Sequence, residues 1–352
     1  MNNITNIKYN IFSKNTYKRL FAIKLIQIDN NKYIENIENI IDYLETLPPC
    51  NHPNNQYTIH SVNSPPLNAL RESRFARFTS VVNSVKILKK EYTIYLPPHQ
   101  IVIYGNNVSQ RYINHVGNII RWWAQIKPQK YIVTLYLTDL KKRLPPANQP
   151  KVLTEEYANS GFTFIAEPCE IHIFRKEESL KVLIHELIHA SKFDFNNNHL
   201  LHLPLNIKDD NITNEGITEY LAINFYYWYV AQYIYTFYNK LNITPHDIYR
   251  ELILDDIQWQ EYQNFKILSY FNMKPNELLE KNNFRQYTSI LSYFFLKNYL
   301  FTENSMSIIL SRNHTNINNL IKKMREYIAD MTIQEILPNS ISMRMSLFEL
   351  NY

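Results

Sequence analysis

The segment 181–189, with the sequence KVLIHELIH, constrains this chain more than any other stretch. It places His185 and His189 four residues apart, with Glu186 directly after the first histidine. Apolar residues at spacings of three and four predict that the segment is a buried helix. On a helix, a spacing of four brings both imidazoles onto one face about one turn apart, where they can bind a single metal ion.

This HExxH pattern can also arise by chance on an amphipathic helix, so a second signal is needed. The segment 213–220, with the sequence TNEGITEY, supplies it, because it opens another long apolar helical pattern. A catalytic zinc ion requires three protein ligands and an open fourth position for water or substrate. We therefore expect a third ligand downstream of the histidine pair.

Several residues could supply this third ligand. An HExxHxxGxxH arrangement would place it six residues after His189, but Phe195 occupies that position. Glu215 lies at the start of the next apolar helical pattern and is the favoured candidate. Other candidates lie in the polar stretch between the two helical patterns: Asp194, His199 and His202.

The HExxH segment followed by NEGITE at 214–219 resembles the gluzincins, the thermolysin-like and M1 aminopeptidase-like zinc metallopeptidases. In these families, the HExxH helix precedes a second helix with an Asn-Glu-x-x-x-(Glu/Asp) motif. The resemblance implies that His185, His189 and Glu215 bind a zinc ion. It also implies that the carboxylate of Glu219 orients a histidine ligand, with His189 as the expected partner.

This resemblance covers residues 174–221, and the 25 residues between His189 and Glu215 exceed the separation in those two families. A looser resemblance links the chain to metallopeptidases inferred in large DNA viruses. It is carried by the segments NSGFT, FRKEE, HELIH and NEG in this order. It suggests a viral protein.

The gluzincin resemblance implies a reaction, the hydrolysis of peptide bonds in a peptide or protein substrate. Zinc lowers the pKa of a bound water to roughly 7. Glu186 would act as the general base that takes the proton of this water and delivers it to the leaving amine. The related families stabilise the oxyanion with a Tyr or His from the helical half. Tyr287 and Tyr293 are the candidates here, with His246 behind them.

A second hypothesis is a non-enzymatic virion or interaction protein that keeps a zincin fold around a structural zinc ion. Such a protein would have a filled fourth coordination position or a blocked cleft. Glu186 favours the enzyme, because a purely structural zinc site has no use for this carboxylate.

The patterns predict an α+β fold, and the resemblance implies a zincin-like mixed sheet and active-site helix before a mainly helical C-terminal half. Three regions are expected: an N-terminal helical and loop segment (1–65), an α/β sub-domain with the HExxH helix (66–212), and a helical sub-domain with the third ligand (213–352). Strands are predicted at 93–96, 100–104, 131–137, 160–164 and 170–174. Helices are predicted at 33–47, 108–126, 217–241, 245–253, 257–271, 275–279, 287–300 and 317–331, and 48–66 is expected to be a loop.

One of the two strands before the HExxH helix is expected to be the edge strand that binds an extended peptide substrate. Gly161 and Gly216 are two of only four glycines, and both fall in the proposed site. Their placement favours a close approach of backbone at these points.

Composition excludes several other classes of protein. The net charge is only +5 and the basic residues are scattered, so nucleic-acid binding is not expected. Two cysteines, Cys50 and Cys169, are too few for a disulfide scaffold or a thiolate metal site. The polar N-terminus and the lack of long apolar runs predict a soluble cytoplasmic protein without a membrane partner.

Overall fold

A computed structural model describes residues 12, 16, 20, 29–146, 152–165, 167–194, 203, 205, 213–237, 243–280, 284–331 and 340–350. The chain divides into two compact units. The sheet unit contains Leu47–Lys142 and Asn159–Phe193. The helical unit contains Met1–Thr46, Arg143–Ala158 and Asp194–Asn351.

The helices and strands follow one another in a mixed order up to residue 190, after which every described element is helical. In chain order they are α1 Asn31–Glu45, β1 Tyr57–Ser61, α2 Asn68–Glu72, a 3-10 helix Arg74–Arg77, α3 Thr79–Lys86, β2 Lys90–Leu96, β3 His99–Tyr104, α4 Gln110–Ile126, β4 Tyr131–Tyr136, α5 Glu155–Ala158, β5 Gly161–Phe164, β6 Cys169–Ile173, α6 Ser179–Ala190, α7 Thr213–Phe237, α8 Pro245–Phe271, α9 Glu277–Glu280, a π-helical turn Ser292–Leu296, α10 Lys297–Leu300, α11 Ser305–Leu310 and α12 His314–Ala329.

The sheet unit is built on a six-stranded mixed sheet in the order β1-β2-β3-β4-β6-β5. Strands β3, β4 and β6 are parallel, while β1, β2 and β5 pair in antiparallel fashion with their neighbours. Strand β5 is therefore an edge strand and β6 is not. The protein is thus of mixed α/β class with a mainly helical C-terminal half, which confirms the coarse prediction.

Alternation along the strands divides the side chains between the two faces of the sheet. On one face, Ile101, Val133 and Ile171 are fully buried or nearly so, and helix α6 packs on β5 and β6. On the other face, aromatic residues of the strands join the apolar residues of α2, the 3-10 helix and α3 in a core cluster. Each face thus buries apolar area, which is the main source of stability for such a layered unit.

Helices α7 and α8 form the centre of the helical unit, and α7 is buried over most of its circumference. Helix α8 runs without a break through residues 254–256, where the sequence predicted a gap between two helices. The break is absent because the buried carboxylate of Asp256 accepts hydrogen bonds from the Tyr227 hydroxyl (2.5 Å) and the Leu347 backbone N–H (2.7 Å). These partners satisfy an acidic residue that would otherwise oppose burial.

A C-terminal segment without regular secondary structure, residues 340–350, lies against α8 in the same unit. Its backbone carbonyls accept hydrogen bonds from side chains: Gln263 donates to Arg344 (2.5 Å), Gln260 donates to Met345 (2.9 Å), and Lys266 donates to Ser342. The segment is therefore held by side-chain to backbone contacts.

Two further sequence predictions are wrong. Residues 48–66 were expected to form a loop, but Tyr57–Ser61 is an edge strand that pairs with β2. The helix predicted from Tyr287 begins only at Ile290, because Gln286 bridges to Leu153 and the Tyr287 N–H is bonded to the Leu153 carbonyl. Among the helices that the structure describes, none combines the length and the apolar character needed to cross a bilayer.

Candidate metal site

Helix α6, which carries the HExxH pattern, is fixed at both ends within the sheet unit. At its start, the Tyr112 hydroxyl of α4 donates to Ser179 Oγ at 2.8 Å. At its end, the Ala190 carbonyl accepts from Gln129 Nε2 (3.0 Å) and from the Cys169 thiol (3.2 Å). These bonds satisfy carbonyl and hydroxyl groups at the helix termini and hold the helix on the sheet. Cys169 is engaged with this helix end, and burial raises the pKa of its thiol.

The two histidines of α6 converge on one point, as the spacing of four predicted. The Nε2 atoms of His185 and His189 lie 3.1 Å apart, and the rings meet edge to face with centroids 4.8 Å apart. Two nitrogen lone pairs can share such a point only if a proton or a cation lies between them.

This separation fits two ligands on one zinc ion. Zinc to imidazole distances of roughly 2.0–2.1 Å and a tetrahedral angle place two ligand nitrogens about 3.3 Å apart. The observed 3.1 Å lies close to this value. The donor set is also suitable, because neutral imidazole is a preferred zinc ligand.

The side chain of Glu186 extends from α6 toward the edge strand β5. Its Oε2 accepts a hydrogen bond of 2.8 Å from Thr163 Oγ1, which fixes one carboxylate oxygen. Its Oε1 lies 2.9 Å from the position that a Cβ on Gly161 would occupy. A side chain at position 161 would collide with the carboxylate, so the predicted close approach at Gly161 is confirmed.

Strand β5 presents its residues to both faces of the sheet. Thr163 faces α6, whereas Phe162 faces the opposite core and stacks on His172 with ring centroids 5.1 Å apart. Burial lowers the pKa of His172, and the nearby Glu170 carboxylate partly offsets this shift. His172 is thus a buried member of the aromatic core on the face away from α6.

Glu215 lies in the first turn of α7, in the helical unit. Its Oε2 accepts a hydrogen bond of 2.8 Å from the hydroxyl of Tyr293, which belongs to the π-helical turn. The close packing of these two elements depends on Gly216, since a Cβ there would lie 2.7 Å from both the Ser292 carbonyl oxygen and Leu296 Cδ2. The sequence named Tyr293 as a candidate oxyanion donor, and the structure places it on the proposed ligand Glu215.

Glu219 lies one helical turn after Glu215. Its Oε1 is 3.6 Å from Nζ of Lys297, and both side chains are buried, with exposures of 1% and 0%. The sequence had assigned this carboxylate to His189, and Lys297 is a partner that sequence analysis missed.

The remaining candidates lie in other settings. Tyr287 is 52% exposed and lies in a bend before the helix. His246 stacks on Trp228 and pairs with Glu45 at 2.5 Å. Of the alternatives to Glu215 as metal ligand, His199 and His202 lie outside the described residues. The remaining alternative, Asp194, accepts hydrogen bonds from Asn214 Nδ2 (3.1 Å) and Thr218 Oγ1 (3.3 Å).

The predicted site residues therefore fall into two groups, one in each unit. His185, Glu186 and His189 come together in the sheet unit, and Glu215, Glu219 and Tyr293 come together in the helical unit. A single ligand set of His185, His189 and Glu215 stays a prediction.

Comparison of this chain with protein-family models, with curated proteins and with solved structures gives no match.

Proposed function

We propose that this protein is a zinc-dependent metallopeptidase with a zincin-like fold, which hydrolyses peptide bonds in peptides or proteins. The observation that carries the proposal is the convergence of the two Nε2 atoms of His185 and His189 at 3.1 Å. A helix with this pair, and with Glu186 between the two histidines, is suited to metal-assisted hydrolysis.

Three protein ligands are required, and we assign the third to Glu215. Its carboxylate oxygen is a suitable zinc ligand, and a His-His-Glu set leaves the fourth position open. Bound zinc would supply the Lewis acid that lowers the pKa of a water to roughly 7.

The chain's own carboxylate at position 186 moves the proton. Glu186 accepts a proton from the attacking water as the new C–O bond forms at the carbonyl carbon. It then delivers this proton to the nitrogen of the leaving amine as the C–N bond breaks. Thr163 holds Oε2 at 2.8 Å and so limits the orientations that the carboxylate can take. A fixed general base next to the reacting water lowers the entropic cost of the reaction.

The edge strand β5 provides a place for the substrate. Among the strands that the structure describes, it pairs only with β6, so its outer edge offers backbone groups that an extended peptide could bind as a further strand. Gly161 and Thr163, which contact Glu186, belong to this strand. The substrate backbone would thus lie beside the general base.

The ligand set is tested by metal analysis of the purified full-length protein. We expect one equivalent of zinc in the wild type and a loss of most of it in His189→Ala and Glu215→Ala. Glu35→Gln, a change at an exposed position of α1, is the control and should keep the metal. A Glu215→Ala variant that keeps a full equivalent of zinc at wild-type affinity would show that the third ligand is another residue.

The reaction is tested by Glu186→Gln. This variant should bind zinc normally while its cleavage of a quenched-fluorescence peptide mixture falls by at least about a hundredfold, as expected for loss of a general base. A zinc-loaded wild type without cleavage of the peptide mixture or of denatured protein would favour the non-enzymatic alternative instead.

A further inference from the structure

Two contacts join α7 to the segment formed by the π-helical turn and α10, and they repeat at the same interval. Tyr293 meets Glu215, and Lys297 meets Glu219. Glu215 and Glu219 are four residues apart on α7, and Tyr293 and Lys297 are four residues apart on the other segment. The two contacts therefore lie about one helical turn apart. The first contact, between Tyr293 and Glu215, involves the proposed zinc ligand.

The second contact, between Lys297 and Glu219, is a buried ion pair. Lys297 also donates a hydrogen bond of 2.6 Å to the backbone carbonyl of Met345, so its ammonium is held from two sides. Taking two charges out of water is costly, and removing one partner of such a pair leaves an uncompensated charge in the interior. The ammonium of Lys297 is therefore one of the groups that stabilise the buried carboxylate of Glu219.

The first turns of α7 have little freedom to move independently of these two contacts. Gly216 lies against the Ser292 carbonyl and Leu296, with no space for a Cβ, so the two helices are in direct backbone contact. A rotation of the first turns of α7 that displaces Glu219 would displace Glu215 as well. The position of the Glu215 carboxylate is thus tied to the Lys297 to Glu219 contact.

We propose that Lys297 is a positioning residue for the metal site, which acts through Glu219 to hold the Glu215 carboxylate in its ligating orientation. This inference rests on the proposed function, because it requires Glu215 to be a zinc ligand. Lys297 touches neither substrate nor metal in this role.

The first test is the zinc affinity of Lys297→Met, measured in the full-length protein by competition with a chromophoric chelator. We expect the affinity to fall by about 10- to 100-fold, as is common when a group behind a metal ligand is removed. Lys297→Arg keeps the charge and should restore most of the affinity. Lys297→Met with wild-type affinity would overturn the inference.

A matched control is available in the same helical unit. Lys266 is also buried and also donates to the backbone carbonyl of a residue in the segment 340–350, Ser342. Lys266→Met therefore makes the same change at a similar contact away from Glu219, and zinc affinity should not change. An equal loss of affinity in both variants would indicate a general loss of structure and would contradict a specific role for Lys297.

A double-mutant cycle tests whether Lys297 acts through Glu219. In a Glu219→Gln background, Lys297→Met should cause no further loss of zinc affinity, since the contact is already gone. The double variant leaves no unpaired charge from this ion pair, so it serves as the test if Lys297→Met alone does not fold. A further tenfold loss in the double variant would contradict the inference.

Cobalt(II) substitution adds a spectroscopic measurement. If Glu215 changes its orientation, the visible absorption bands of the cobalt protein should shift in Lys297→Met and return in Lys297→Arg. Unchanged bands in Lys297→Met would count against the inference. A wild type that binds neither zinc nor cobalt would overturn the proposed function itself, whereas a metal-binding wild type with an unaffected Lys297→Met overturns only the role of Lys297.

Discussion

The hydroxyl of Tyr293 donates a hydrogen bond to Oε2 of Glu215 at 2.8 Å, across the contact between the π-helical turn and α7. Tyr293 is buried, so this bond to a carboxylate is formed in a poorly hydrated setting, where charge-assisted hydrogen bonds are strong. The contact gives Tyr293 a role that can be separated from oxyanion stabilisation. It orients the carboxylate that we assign to zinc.

Tyr293→Phe should therefore weaken zinc binding by about tenfold, because a group that orients a ligand is lost. The measurement is zinc affinity by chelator competition, followed by steady-state cleavage at saturating zinc. Tyr235→Phe, at an exposed position of α7, the helix that carries Glu215, is the control. Unchanged zinc affinity with a lower kcat would show that Tyr293 acts on the reaction alone.

Thr163→Val should lower kcat by about tenfold and leave the zinc content unchanged. Valine keeps the shape of threonine but removes the hydroxyl that donates to Glu186 Oε2, and a hydrogen bond to a charged group is worth about 1.5–3 kcal/mol. The same substitution at the exposed Thr58 of β1 provides the control. A Thr163→Val enzyme with full activity would mean that α6 alone orients the base.

Gly161→Ala should displace the general base. The added Cβ would lie 2.9 Å from Glu186 Oε1 and 3.0 Å from the His172 carbonyl oxygen, and the latter belongs to the backbone of β6 and cannot move freely. We expect slower cleavage and an unfolding free energy lower by about 1–3 kcal/mol.

Gly105→Ala separates these two effects, since its Cβ would meet Val108 Cγ2 at 2.7 Å, in the same unit but away from Glu186. It should reduce stability and spare the cleavage rate per folded molecule. Equal losses of activity in the two variants would show that Gly161 matters only for stability.

The sequence predicted well those features that depend on neighbours along the chain. The paired histidines of α6 need only a helical spacing of four, and five of the six strands, all except β1, follow from short apolar runs along the chain. The order of the strands depends on pairing between distant segments. For this reason the sequence could not decide between β5 and β6 as the edge strand.

Features that depend on distant partners were missed. Asp256 marked an apparent break in α8, but Tyr227 and the Leu347 N–H stabilise its carboxylate inside the fold. Thr163 and Lys297 had no sequence signal of their own, because each gains its importance from one carboxylate on another element. Thr163 could have been found only by noting that it shares a strand face with Gly161.

Lys266 should make the stability of the protein depend on pH. Burial lowers the pKa of this lysine from 10.5 to about 7, and its Nζ lies over the rings of Trp259 and Tyr262. Between pH 7 and 10.5 the unfolded chain binds a proton at this site that the folded chain does not bind. Stability therefore rises with pH in this window and does not change through this group below it.

The rise should be about 2 kcal/mol between pH 7 and pH 9, at a slope of at most about 1.4 kcal/mol per pH unit. Urea unfolding of the wild type and of Lys266→Met at each pH gives the difference in unfolding free energy, in which contributions from other titrating groups cancel. We expect this difference to shift in favour of the wild type as pH rises. A constant difference would mean that Lys266 keeps its proton in the folded state, with its charge stabilised by the Ser342 carbonyl and the two rings.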